Sequence, residues 1–209
     1  MPHRMLAVYT DYKSPDAFLA KDLTYEVARE FPGQVAFLPY VLDVPSAIGS
    51  AELDSEGRVV RSNRSPHQWR RVRYAYMDCR REAKKRGLTL RASPKIWDSA
   101  LAAIGMLYAQ RQGEAVFRAY HDRVFERLWK RELDIEDSAA IAGVLGEAGA
   151  DTAGFPEYLG GEGRAELNKI QTAAEAAGVF GVPSFVINGE LFWGREHLAH
   201  IRDILRATA

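Results

Sequence analysis

The chain has 209 residues, of which 47% are hydrophobic and 27% are charged, enough apolar side chain for one globular core. Lys plus Arg and Asp plus Glu each number 28, so no overall field draws the chain to nucleic acid or to an anionic membrane. Cys79 is the only cysteine, which excludes an internal disulfide, a Cys-x-x-Cys redox pair and a multi-cysteine zinc site.

The first predicted elements form a β-α-β unit. Residues 5–9 are a short apolar run typical of a buried strand, and too short for a signal peptide, so we expect a cytoplasmic protein. Ser14 followed by Pro15 is a favoured helix cap and first turn, and apolar residues then recur at helical spacing. A second strand is predicted over residues 34–42. A right-handed crossover makes these two strands parallel.

The middle of the chain predicts a long loop followed by helices. Residues 43–66 are rich in Gly, Ser, Pro, Asn and charge and show no periodicity, which predicts a loop. Helical patterns follow, with breaks at glycines, over residues 67–86, 96–112, 115–131, 135–147 and 162–177.

The last part of the chain returns to strands. Residues 184–187 and 191–193 read as two strands, joined by Asn188 and Gly189. This dipeptide is a strong hairpin signal because both turn positions require a positive φ. An amphipathic helix is predicted beyond Gly194.

The order of elements predicts the fold class. A β-α-β unit and a β-β-α unit separated by helices is the order of an α/β thioredoxin-like fold with an inserted all-helical domain. We predict the thioredoxin-like domain over residues 1–65 and 178–209 and the helical domain over residues 66–177.

Ser14 has two interpretations. A serine before proline is usually only a helix cap, worth about 1 kcal/mol. The N-terminus of a helix that follows a strand is also a place where amide donors and the helix dipole stabilise an anion.

Two motifs carry a resemblance to a known family. Residues 11–15 read Asp-Tyr-Lys-Ser-Pro, residues 179–185 read Val-Phe-Gly-Val-Pro-Ser-Phe, and residues 192–196 read Phe-Trp-Gly-Arg-Glu. Together these segments resemble the 2-hydroxychromene-2-carboxylate isomerases and the kappa-class glutathione transferases, in the DsbA-like thioredoxin superfamily.

The resemblance implies a glutathione site. It implies that Ser14 donates a hydrogen bond to the glutathione sulfur and thereby lowers the pKa of the glutathione thiol. Pro183 is then cis, and the backbone of Val182 pairs with the cysteinyl part of glutathione like an added strand. Arg195 and Glu196 stand where the family binds the γ-glutamyl end, commonly with a small polar residue and Asp.

Further site residues come from the same resemblance. Arg71 occupies the place of a glutathione-contacting lysine, and Asn63 resembles a loop asparagine of the family. A solvated basic helix is the alternative interpretation of the Arg71 region. We expect Tyr12, Trp97 and Trp193 to wall an apolar pocket, although such aromatics are often ordinary core residues.

These features predict a glutathione-dependent isomerase, in which the thiol adds to a small aromatic substrate and leaves again. The alternatives are a kappa-class-like transferase acting on an electrophile, or a thioredoxin-fold binding protein without catalysis. Asp16 supports the last alternative, because it places a negative charge near the expected thiolate. We predict no metal, since the five histidines show no zinc spacing, and relatives of this fold often form homodimers.

Overall fold

A computed structural model describes residues 5–54, 56 and 58–207. In chain order its elements are β1 (Leu6–Thr10), α1 (Pro15–Glu30), β2 (Val35–Pro39), α2 (Val44–Ile48), β3 (Ala51–Leu53), β4 (Val59–Ser62), α3 (Pro66–Lys85), α4 (Ala100–Arg111), α5 (Glu114–Lys130), α6 (Ser138–Glu147), α7 (Phe155–Gly160), α8 (Glu162–Ala176), β5 (Ser184–Ile187), β6 (Glu190–Trp193), a 3-10 turn (Arg195–His197) and α9 (Leu198–Arg206).

The central sheet is built from the two ends of the chain. Its strand order is β2-β1-β5-β6. Strand β1 pairs parallel with β2 and antiparallel with β5, and β5 pairs antiparallel with β6. The helices α3 to α8 come between the two halves. This arrangement confirms the predicted thioredoxin-like fold class.

The limits of the two predicted domains, 1–65 with 178–209 and 66–177, stay a prediction. The predicted limits also include residues 1–4, 55, 57, 208 and 209, which lie outside the described residues.

The prediction of a loop over residues 43–66 is wrong. This segment contains α2 and a separate antiparallel hairpin of β3 and β4. Asp43 caps α2 by accepting a hydrogen bond from the Ser46 amide at 3.1 Å, and Asn63 Oδ1 accepts one from the Ser50 amide at 2.7 Å. The residues of β4 are all exposed, so no buried face imposes the alternation by which a strand is recognised.

An aromatic cluster joins α1 to α5. The ring of Phe125 is fully buried and its centroid lies 4.8 Å from that of Tyr12 and 5.6 Å from that of Phe18. Tyr12 is 2% exposed, and its hydroxyl lies 2.9 Å from Nδ1 of His121. These contacts hold the turn before α1 against α5.

Protonation of His121 opposes folding. Burial among aromatic rings holds the pKa of His121 well below its ordinary value, and the nearby cations Lys21 and Arg118 lower it further. The native ring is therefore neutral, and its Nδ1 shares a hydrogen bond with the Tyr12 hydroxyl. The unfolded chain binds a proton at His121 below about pH 6.5, whereas the native state does not.

We therefore expect the free energy of unfolding to fall as the pH drops from 6.5 to 5, by up to about 1.4 kcal/mol per pH unit from this residue. Urea unfolding at several pH values measures this slope, which should be smaller in His121→Gln. The control is His67→Gln, at an exposed position, which should leave the slope unchanged. Equal slopes in the wild type and His121→Gln would contradict the assignment.

Candidate functional site

Ser14 stands at the N-terminus of α1, between that helix and the loop before β5. It has the extended backbone of a cap residue, and its Oγ accepts a hydrogen bond from the Ala17 amide at 3.2 Å. The same hydroxyl donates to the carbonyl oxygen of Val182 at 3.3 Å. The cap interpretation is thus confirmed, and the hydroxyl also faces a second backbone segment.

That second segment contains a cis peptide bond between Val182 and Pro183, as the resemblance implies. The Pro183 carbonyl accepts a hydrogen bond from the Gly194 amide at 3.0 Å, which ties this loop to the end of β6. Within the described part of the chain, no hydrogen bond uses the N–H of Val182. The residue whose carbonyl faces the Ser14 hydroxyl therefore also has a free backbone donor.

One side of Ser14 opens into a cavity of about 200 Å³, which we call the α1 cavity. Apolar side chains from the segment 42–48 and from α3 form part of its wall, and Trp97 also lines it. Its lining consists of Lys13, Ser14, Pro15, Asp16, Leu42, Val44, Ile48, Arg64, Val72, Ala75, Tyr76, Ser93, Lys95, Ile96 and Trp97.

Three cations line the α1 cavity: Lys13, Arg64 and Lys95. Sequence analysis did not identify them as site residues. The Lys13 ammonium lies 3.4 Å from an Asp11 carboxylate oxygen and donates to Ser99 Oγ at 3.2 Å. The Arg64 guanidinium stacks over Trp69, and Lys95 stacks over Trp97 at 4.3 Å from the ring centroid. Lys13 directly precedes Ser14, the cap of α1, and Arg64 directly precedes Ser65, the cap of α3. Their positions next to helix caps could therefore have identified these two cations from the sequence.

A groove of about 660 Å³, which we call the Pro183 groove, is lined by Val182, whose carbonyl accepts the hydrogen bond of Ser14. Trp193 lies here and not in the α1 cavity. The lining consists of Asp16, Leu23, Asp78, Val182, Pro183, Trp193, Gly194, Arg195 and Glu196. Asp16 borders both spaces, so the N-terminus of α1 separates an apolar cavity from a polar groove.

Asp16 and Arg195 form an ion pair across this boundary. In the sequence the two residues are separate departures from the family pattern, whereas in the structure they contact each other as an ion pair. Cys79 lies against the same carboxylate. Burial and the nearby Asp16 raise the pKa of the Cys79 thiol to about 12, so Cys79 is a buried, protonated and unreactive thiol.

The remaining predicted residues lie elsewhere. Tyr12 belongs to the aromatic core, so the expectation that it walls the pocket is wrong. Its hydroxyl shares a hydrogen bond with His121, and its ring packs against Phe125. Asn63 is exposed and closes the open end of the β3-β4 hairpin by accepting a hydrogen bond from the Ser50 amide. Arg71 is exposed on α3 and lines neither space. The ligand roles of Asn63 and Arg71 stay predictions.

Within residues 5–54, 56 and 58–207, the side chains of His, Cys, Asp and Glu form no group of three or more that would hold a metal ion. No helix in the same residues has both the length and the apolar character needed to span a bilayer.

Comparison with known proteins gives a family match and several relatives. The model of the DSBA-like thioredoxin domain matches residues 5–206. A 2-hydroxychromene-2-carboxylate isomerase from Sphingobium xenophagum is 28% identical over 200 residues, covering 94% of this chain and 95% of the relative. One from Pseudomonas putida is 28% identical over 194 residues, covering 91% of this chain and 88% of the relative.

Solved structures show the same fold. A selenomethionine structure of 2-hydroxychromene-2-carboxylate isomerase matches with a TM-score of 0.72 at 22% identity, covering 98% of this chain and 95% of that chain. Pseudomonas aeruginosa DsbA matches with a TM-score of 0.60 at 15% identity, covering 100% of this chain and 85% of that chain.

Proposed function

The chain belongs to the DSBA-like thioredoxin domain family, and from this we propose that it is a glutathione-dependent isomerase in which Ser14 binds the glutathione thiol. The relatives named 2-hydroxychromene-2-carboxylate isomerase support isomerisation. A disulfide oxidoreductase is excluded at this position because the chain has no cysteine in α1.

The observation that carries the proposal is the double role of the Ser14 hydroxyl. Its proton is directed to the Val182 carbonyl over 3.3 Å, a long hydrogen bond. The hydroxyl can exchange this weak partner for an anionic sulfur at the positive end of α1, while its oxygen keeps the bond from Ala17. A bound thiolate is therefore stabilised by a hydroxyl and a helix terminus together.

The surrounding groups fit glutathione. The free N–H of Val182 matches a peptide carbonyl of the cysteinyl part, as in strand addition. In the Pro183 groove the carboxylates of Glu196 and Asp78 suit the γ-glutamyl ammonium. When bound, glutathione supplies a nucleophilic sulfur that no residue of this chain provides.

The α1 cavity fits a small aromatic anion beside that sulfur. Trp97 and Tyr76 supply aromatic walls, and Arg64 supplies a cation at the same cavity. Burial lowers the pKa of Arg64. A guanidinium in this apolar setting binds a planar carboxylate better than a fully hydrated cation does.

Calorimetric titration with glutathione tests the proposal. We expect saturable binding with a dissociation constant below about 1 mM; the absence of such binding overturns the proposal. Product analysis then separates an isomerase from a transferase. Glutathione should stay unchanged after turnover of 2-hydroxychromene-2-carboxylate, whereas a chloronitroarene converted to a stable glutathione adduct would favour the transferase.

A further inference from the structure

Asp16 puts a carboxylate where a thiolate is to be held. It follows Ser14 by two residues in the first turn of α1, and its side chain is 44% exposed at the edge of both the α1 cavity and the Pro183 groove. An acidic side chain stabilises the N-terminus of a helix. The same charge repels a second anion at that terminus and shifts its titration to higher pH.

Arg195 is built into the site as the partner of this carboxylate. Its side chain is only 19% exposed and donates a hydrogen bond to Asp16 Oδ1. The preceding residue, Gly194, has a φ of +111°, a backbone conformation that residues with a β-carbon rarely adopt. The Gly194 amide is also bonded to Pro183. The cation is therefore fixed to the loop that faces Ser14.

The other charged groups near Asp16 do not replace Arg195. Among the residues that line the Pro183 groove in the described part of the chain, Arg195 is the only cation. On α3, the Cys79 thiol is protonated, Asp78 lies 3.7 Å from Arg81, and Glu82 pairs with Arg86. On the turn before α1, Lys13 is paired with Asp11, and Glu196 adds a further negative charge to the groove.

We propose that Arg195 cancels the charge of Asp16 and thereby keeps the N-terminus of α1 able to hold a thiolate beside Ser14, an inference that rests on the proposed function. Arg195 is then a positioning residue that acts through Asp16 and does not touch the sulfur. The two residues are a matched pair. Removing either one leaves an uncompensated charge beside the thiolate, whereas removing both leaves the net charge there unchanged.

The test is the pH titration of the thiolate ultraviolet absorbance of bound glutathione, with the titration of the free protein subtracted. Arg195→Gln leaves Asp16 unpaired and should raise the pKa of the bound thiol by about one pH unit. Asp16→Asn leaves Arg195 unpaired and should lower it by a similar amount. The double variant should return close to the wild type, and both single shifts should shrink at high salt.

Arg202→Gln is the matched control. Arg202 is 25% exposed and joins α9 to Glu26 of α1 at 3.0 Å, so its loss removes the same kind of contact away from Ser14. It should leave the thiol titration unchanged. Shifts of the same sign in Arg195→Gln and Asp16→Asn, or no shift in either, overturn the inference while the proposed function stands. A wild type without a glutathione-dependent thiolate signal overturns both, before any variant is made.

Discussion

Replacing Ser14 with alanine is expected to lower turnover at neutral pH by about 10- to 100-fold and to raise the pKa of bound glutathione toward the free thiol value of about 8.5. The hydroxyl is the side-chain donor at the N-terminus of α1 that faces the Val182 loop. A hydrogen bond to a charged group contributes about 1.5–3 kcal/mol. The thiolate absorbance of the complex, followed against pH, measures the loss directly.

Ser14→Ala also removes the helix cap, so a matched control is needed. Ser65 caps α3 in the same way: its side chain accepts a hydrogen bond from the Gln68 amide at 3.2 Å, and Pro66 follows it. Both alanine variants should lose about 1 kcal/mol of stability. Only Ser14→Ala should lose the thiolate signal. If the two variants show the same signal as the wild type, Ser14 is a cap and nothing more.

Replacing Phe125 with alanine is expected to cost about 3–5 kcal/mol of stability. The ring is fully buried, and it contacts Tyr12, Phe18 and His121 at centroid distances of 4.8, 5.6 and 4.9 Å. The cavity left behind separates α5 from the turn that carries Ser14. The free energy of unfolding, obtained from urea titration, measures this loss.

The control for Phe125 is Phe180→Ala. Phe180 is 63% exposed, and its ring contacts Trp193 at 5.0 Å. The same atoms are deleted there without opening a cavity, so the free energy of unfolding should change by about 0.5 kcal/mol or less. Equal losses at the two positions would show that the aromatic cluster does not dominate the stability of the chain.

The regular elements that pack against the core were predictable from the sequence. The helical spacing after Ser14 and Pro15 yielded α1, and the Asn188-Gly189 pair yielded the β5-β6 turn, where the two residues have φ of 56° and 81°. The hairpin of β3 and β4 escaped because β4 is exposed along its whole length and shows no buried face. The short helix Phe155–Gly160 escaped because six residues between glycines show too little periodicity.

The sequence by itself determined that the N-terminus of α1 carries a hydroxyl and no thiol, since Ser14 and the absence of a second cysteine are matters of residue identity. Only the tertiary structure decided which aromatic residue meets the cavity, Trp97, and which is core, Tyr12. It also paired Asp16 with Arg195 across 179 positions. Local patterns specify helices and strands, whereas contacts between distant residues depend on how the whole chain packs.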